Sequence, residues 1–195
     1  PAMDVSQIPI ITVSYNSPDL IDVLLTSLRL FYANRVYVID GSAPDIVPEI
    51  AAITNKFANV ELIPFHYNIH HGPGMAWAIR NLGLSGPALF LDSDVEVLHA
   101  GMLEDLANRL EHHLYGVGWI THPALIGADS PENRVPYLSP LCMLCNVDVM
   151  RQWPLPIKHG APMITPMIAL AESGQSALVR HVDWIENDCT HDSVK

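Results

Sequence analysis

The chain has 195 residues, 49% of them hydrophobic and only 16% charged, a composition and length that suit one sizeable buried core and exclude a disordered chain. Asp and Glu outnumber Lys and Arg 21 to 10, a formal charge of −11, so the basic surface that nucleic acid or an anionic membrane requires is missing. No apolar run approaches the roughly 20 residues that span a bilayer, and Pro1-Ala2-Met3-Asp4 lacks the basic, apolar start of a signal peptide, so the expectation is a cytoplasmic chain with no transmembrane segment.

Ile8 to Val13 is apolar at both parities, the pattern of a strand covered on both faces. Ser17 and Pro18 supply an N-cap and a first-turn proline for a helix whose apolar positions are Leu20, Leu24, Leu28 and Phe31. Val36 to Ile39 reads as a second strand, Pro48 to Ala58 as a short helix, and Val60 to Pro64 as a third strand. The Gly-rich turn His71-Gly72-Pro73-Gly74 opens a helix from Met75 to about Leu84, and Gly86-Pro87 breaks the chain before a fourth strand, Ala88 to Leu91.

After Asp94 the rhythm loosens. Met102, Leu106 and Leu110 mark an amphipathic helix ending near His112 and His113, Tyr115 to Ile120 a strand, and Ile126 to Pro136 a loop. A strand near Leu138 to Leu144, a helix near Ala161 to Ala171 ended by Gly174, and a strand near Leu178 to Trp184 complete the chain. Strands alternating with helices at this spacing predict an α/β fold, a mostly parallel sheet flanked by helices. Three cysteines, an odd number, do not make a disulfide framework. Cys142 and Cys145 form a CxxC, but their odd separation within a strand sends the thiols to opposite faces, so both are read as ordinary buried cysteines.

In open α/β sheets ligands bind beyond the carboxyl ends of the strands. Here those ends are polar: Tyr15-Asn16, Asp40-Gly41-Ser42, the His66 to Gly74 loop, and Asp92-Ser93-Asp94. Two carboxylates two residues apart at a turn can share one hard cation, Mg2+ or Mn2+, which favours oxygen ligands and completes its shell with substrate phosphates. Only Arg80 is a basic neighbour of these segments, so neutralising a diphosphate would fall mainly to the metal. The competing reading of the same residues is a set of independent helix caps and turns.

Val13-Ser14-Tyr15-Asn16, Val36 to Ser42, and Gly72-Pro73-Gly74-Met75-Ala76 leading to Leu89-Phe90-Leu91-Asp92-Ser93-Asp94 together resemble the GT-A (Rossmann-like) glycosyltransferases, and within them glycosyltransferase family 2. The resemblance covers roughly the first half of the chain. It implies a nucleotide-sugar-binding half over 1–98 and an acceptor-side half over 99–195 of a single domain. It implies a nucleoside-diphosphate-sugar donor, most often UDP-linked, with Asp40 on the base, Asp92 on the ribose, and Asp94 on the metal that bridges the phosphates. Tyr15, Asn16, Gly72, Gly74, Arg80 and Ser93 complete the expected donor site. A histidine returned to the metal after the last strand corresponds to His191, so the expected metal ligands are Asp92, Asp94 and His191, with His181 and Asp183 the alternatives. The Tyr137 to Cys145 segment would line the side of an unidentified acceptor.

One departure from the family pattern bears on mechanism. Inverting members carry an acid near the start of the helix that precedes a glycine like Gly174, and this chain has Met163-Ile164-Thr165-Pro166 there. Either the base comes from Glu172, Asp183 or Glu186, or transfer proceeds with retention, or the protein binds donor without turning it over. Catalysis is therefore expected from Asp94 and Glu172. A nucleotidylyltransferase would need a basic Gly-rich loop after strand one, and Tyr15-Asn16-Ser17-Pro18 has neither lysine nor glycine.

Overall fold

A computed structural model of the protein describes residues 3–123 and 134–185. Four βα repeats open the chain. Strand β1 (Ile10–Ser14) leads to α1 (Pro18–Arg29), β2 (Val36–Asp40) to α2 (Val47–Thr54), β3 (Val60–Pro64) to α3 (His71–Asn81), and β4 (Pro87–Leu91) to α4 (Met102–Arg109). Then follow β5 (Gly116–Thr121), β6 (Tyr137–Asn146), the single turn α5 (Val147–Met150), α6 (Ile164–Glu172) and β7 (Val179–His181). The seven strands form one sheet in the order β3-β2-β1-β4-β6-β5-β7. Strands β1 to β4 run parallel, β6 runs antiparallel to both β4 and β5, and β7 pairs parallel with β5. The expected mostly parallel α/β sheet is what forms.

Both faces of the sheet are covered, which is why its central strands are apolar at successive residues. One core layer packs Ile21, Leu24, Leu25 and Leu28 of α1 with Ile50 of α2 and Leu103 and Leu106 of α4. The opposite layer packs Met75 and Ile79 of α3, Met150 of α5, and Met167 and Leu170 of α6. Each such side chain contributes about 1.5–3 kcal/mol by leaving water. Cys142 belongs to the first layer and Cys145 to the second, as strand alternation demands. Both are free and buried, and burial pushes both thiols well above their ordinary range.

Several boundaries differ from the sequence expectation for physical reasons. The buried row of α1 begins at Ile21 rather than Leu20, which is 43% exposed, and Phe31 lies past the helix end and is also exposed. Ser17 sits at the N-cap position without making the side-chain capping bond. Two ends shift by four residues: α2 stops at Thr54 rather than Ala58, and α3 starts at His71 and takes the Gly-rich turn as its first turn. A proline there forfeits no hydrogen bond, because the first-turn amides have no intrahelical partner. Among the described residues no helix is long and apolar enough to cross a membrane.

Candidate functional site

Because β1 to β4 are parallel, their carboxyl ends share one sheet edge, and a cleft of about 300 Å3 opens there. Ser14, Tyr15 and Ser17 after β1 form one part of its wall, and Asp92, Ser93 and Asp94 after β4 another. The β3–α3 loop adds Asn68, His70 and His71, and the segment between α5 and α6 adds His159. Tyr15 is 52% exposed at the mouth.

Asp92 is the electrostatic centre of this cleft. Its backbone amide donates to the Leu141 carbonyl (3.1 Å), which ties the turn to β6. Its Oδ1 is buried and accepts no hydrogen bond. His71 Nε2 approaches that oxygen to 3.2 Å, but without the alignment a hydrogen bond requires. The contact is not an ion pair at neutral pH either. Burial, followed by the neighbouring His159, holds the His71 imidazole down to about 4 against the pull of Asp94. Burial, followed by the Asp94 charge, pushes Asp92 up to about 7. Its surroundings explain the burial. The Cys142 thiol and the Tyr137 ring both feel the Asp92 charge, though burial is the larger cause of their own upward shifts. Tyr137 Oη accepts from the Met163 amide (3.3 Å), placing the start of α6 near this carboxylate.

An unpartnered, half-buried carboxylate beside the exposed Asp94 suits a hard divalent cation. Among the described residues no three His, Cys, Asp or Glu side chains converge to hold a metal. The donor set therefore fits Mg2+ or Mn2+ held by one or two carboxylates plus substrate phosphates, and does not fit an all-protein cage.

Other expected site residues stand elsewhere. Asp40 is fully buried, and its carboxylate accepts from Ser14 Oγ (2.7 Å), Ser42 Oγ (2.6 Å) and the Ser42 amide (3.3 Å). It joins the ends of β1 and β2, and in this structure it is absent from the cleft wall. Asn16, at φ 48°, also links these two turns. Its amide donates to Ser42 Oγ (2.8 Å) and its Oδ1 accepts from the Ala43 amide (2.8 Å).

The two glycines act through packing. A Cβ on Gly72 would lie 2.4 Å from the Lys158 carbonyl oxygen, and one on Gly74 2.9 Å from the Val13 side chain. The Gly72 amide donates to that Lys158 oxygen (3.1 Å), so it is not free for a phosphate. Arg80 is exposed in the last turn of α3, about 13 Å along the axis from His71 at roughly 1.5 Å per residue. Glu172, the last residue of α6, is exposed and about 12 Å from that helix's start by the same rise. Neither lines the cleft. His181 Nδ1 accepts from the Ile120 amide (3.0 Å) at the sheet edge, and Asp183 is likewise absent from the cleft wall. His191 and Glu186 lie outside the described residues.

The structure adds His71 and His159 to the expected set. His71 was legible only as part of a turn. His159 reaches the cleft through tertiary packing of its segment on α3, and its flanking Lys158 and Gly160 carry no local pattern.

No family model and no curated protein matches this chain. Solved structures do match it. The glucosyl-3-phosphoglycerate synthase of M. tuberculosis superposes with a TM-score of 0.66 at 16% identity, covering 95% of this chain and 74% of its own. A 4-diphosphocytidyl-2C-methyl-D-erythritol synthase from Anaerococcus prevotii gives 0.62 at 11% identity over 98% and 94%. A mannosyltransferase from Pyrobaculum calidifontis, solved in complex with GDP-Man and Mn2+, gives 0.61 at 14% identity over 80% and 49%. The chain thus spans about half the length of that mannosyltransferase. At these identities the likeness is one of fold, and the fold is GT-A.

Proposed function

From a GT-A fold with paired carboxylates at the end of β4, we propose that the chain is the donor-binding and catalytic part of a metal-dependent glycosyltransferase that uses a nucleoside-diphosphate sugar. The observation that carries this reading is the buried, unpartnered Oδ1 of Asp92 beside the exposed Asp94 in a cleft at the carboxyl edge of the sheet. Leaving such an acceptor unpaired costs about 1–3 kcal/mol, and a cation brought in with a diphosphate removes that cost. Asp94, with Asp92, would hold Mn2+ or Mg2+. When bound, such an ion stabilises charge on the departing diphosphate as a Lewis acid.

The rest of the work falls to the chain itself. Tyr15, at the mouth, offers a ring face and a hydroxyl to the nucleoside, and Ser17 and Ser93 add hydroxyls to the wall. Asp40 acts indirectly, by fixing the Ser14 and Ser42 hydroxyls that hold the β1 and β2 turns together. No carboxylate stands at the start of α6, where the Met163 amide meets the Tyr137 hydroxyl, so no general base is assigned to the start of that helix. The mannosyltransferase with GDP-Man and Mn2+ supports the donor class; the UDP-linked donor rests on the sequence resemblance.

A second reading, nucleotidyl transfer, is favoured by the end-to-end likeness to the diphosphocytidyl-methylerythritol synthase. It is weakened by the β1–α1 turn, Tyr15-Asn16-Ser17-Pro18, which offers no lysine to a triphosphate. A thermal-shift panel of UDP-, GDP- and dTDP-sugars and of CTP, each with and without Mn2+, separates the two. Saturation at 100 times the dissociation constant adds about 2.7 kcal/mol. The expected result is a Mn2+-dependent shift with one nucleotide sugar, lost in Asp94→Ala and kept in Arg80→Ala and Glu172→Ala, with slow release of nucleoside diphosphate. A shift with CTP alone, or with none of them, removes the proposal.

A further inference from the structure

Among the described residues the cleft is lined by no lysine or arginine, and its basic side chains are the imidazoles of His70, His71 and His159. Two of these have no part in the carboxylate site. The rings of His70 and His159 stand 5.0 Å apart between centroids, tilted by 56°. His70 precedes α3 with φ 65° and ψ 160°, a backbone conformation that is nearly glycine's alone and costs about 1–3 kcal/mol in other residues. His159 is delivered by the segment seated on Gly72.

That seating has a consequence for any anion in the cleft. The start of a helix is a ready source of amide donors for phosphate. In α3 the His70 amide is taken by Asn68 Oδ1 (3.0 Å), the Gly72 amide by the Lys158 carbonyl (3.1 Å), and Pro73 has no N–H to give. That leaves the His71 amide alone at this helix start, so a diphosphate held near Asp92 and Asp94 needs further N–H donors, in a chain of net charge −11. An imidazole has an N–H to give whether neutral or charged.

We propose that His159, with His70 beside it, donates to the phosphoryl oxygens of the nucleoside diphosphate whose metal Asp94 and Asp92 hold. The site then has two halves, one of carboxylates that acts through the cation and one of imidazoles that binds the anion directly. The identity of the anion as a nucleoside diphosphate rests on the glycosyltransferase reading; the imidazole pair and the spent helix amides do not.

The test titrates UDP and inorganic pyrophosphate into the full chain, its His159→Ala variant and its His159→Gln variant, all with saturating Mn2+, and follows Mn2+ binding alone by electron paramagnetic resonance. Loss of one hydrogen bond to a charged group should weaken UDP about tenfold in His159→Ala. Gln, whose side-chain amide donates at similar reach, should recover most of it, and Mn2+ affinity without nucleotide should be the same in all three. Equal UDP affinity in His159→Ala and wild type overturns the inference while leaving the glycosyltransferase reading intact. So does a fall in Mn2+ affinity, which would make the imidazole a metal ligand. Wild type that binds pyrophosphate through His159 but no nucleoside diphosphate keeps the imidazole site and removes the reading; wild type that binds neither removes both.

Discussion

Asp92→Asn should make the protein more stable while destroying its proposed site, and the gain should depend on pH. Asp92 is held up to about 7, from an ordinary 3.8, chiefly by burial and then by Asp94. A carboxyl whose folded value is raised contributes stability that is full below its unfolded value and is lost as pH rises through the folded one. Three pH units at about 1.36 kcal/mol each set a ceiling of about 4 kcal/mol on the cost of keeping Asp92 charged at pH 8. The side chain is 26% exposed, and water reaching that quarter lowers the expected gain to about 2–3 kcal/mol. At pH 5, only about one unit above the unfolded value, the gain should shrink to about 1 kcal/mol. His71, held down to about 4, has the opposite sign. Its stabilisation is present above about 6.5 and is lost as pH falls through 4, so the wild-type profile partly conceals the carboxyl. The difference between wild type and Asp92→Asn isolates it. Urea denaturation of both proteins at pH 5 and pH 8, with metal chelated, reads the effect directly, and UDP with Mn2+ should then stabilise wild type but not the variant. An Asn variant that is no more stable at pH 8, or a gap independent of pH, would refute the account of Asp92 as a strained, buried carboxylate.

Asp40→Ala removes the acceptor of two buried hydroxyls and an amide, so the denaturation midpoint should fall by the equivalent of about 3 kcal/mol. Asp40→Asn, which keeps one carbonyl oxygen, should retain donor affinity within about twofold; lost UDP binding at an unchanged midpoint would instead make Asp40 a direct contact. Gly72→Ala forces a methyl to within 2.4 Å of the Lys158 carbonyl. It should cost about 1–3 kcal/mol as an overpacked contact and weaken UDP by displacing His159, which melting curves and titration of the same preparation would reveal; no change in either would mean that the segment is not seated there.

The parallel half of the sheet was readable because its signals are local. Apolar runs at Ile10, Val36 and Leu89 specify strands buried on both faces, and the polar residue that ends each one falls at the cleft edge by chain direction alone. The parity of Cys142 and Cys145 was readable for the same reason. Local pattern could not distinguish Leu20 from Ile21 as the edge of the buried row, since Leu24 and Leu28 lie within reach of either. Nor could it find depth. Asp40 and Asp92 both stand at the carboxyl ends of apolar strands, yet one is enclosed by Ser14 and Ser42 and the other opens on the cleft. Arg80 and Glu172 were drawn into the site by closeness in sequence, whereas a helix carries its far end about 1.5 Å further away with every residue. His159 was invisible because its place depends on a contact with Gly72 made across the fold.

Two expenses fall on the same cleft, and that coincidence argues for function without appeal to likeness. Some buried amide side chains elsewhere are fully served. Asn146 Nδ2 donates to the carbonyls of Glu111, His112 and Leu114, and Asn34 Nδ2 to those of Val5 and Ile8. Among the described residues four buried side-chain atoms lack a partner. Thr12 Oγ1 and Tyr115 Oη belong to neutral groups, and Arg29 Nε to a guanidinium whose other nitrogens reach four carbonyls. Asp92 Oδ1 alone among them belongs to a residue of the cleft wall, close to the unfavourable backbone of His70. A sequence whose local choices otherwise agree with its fold tolerates such conflicts where a ligand relieves them. A cation arriving with a diphosphate would neutralise the carboxylate and occupy its free oxygen together, so the penalty carried by the empty protein becomes added affinity for the pair over either component alone.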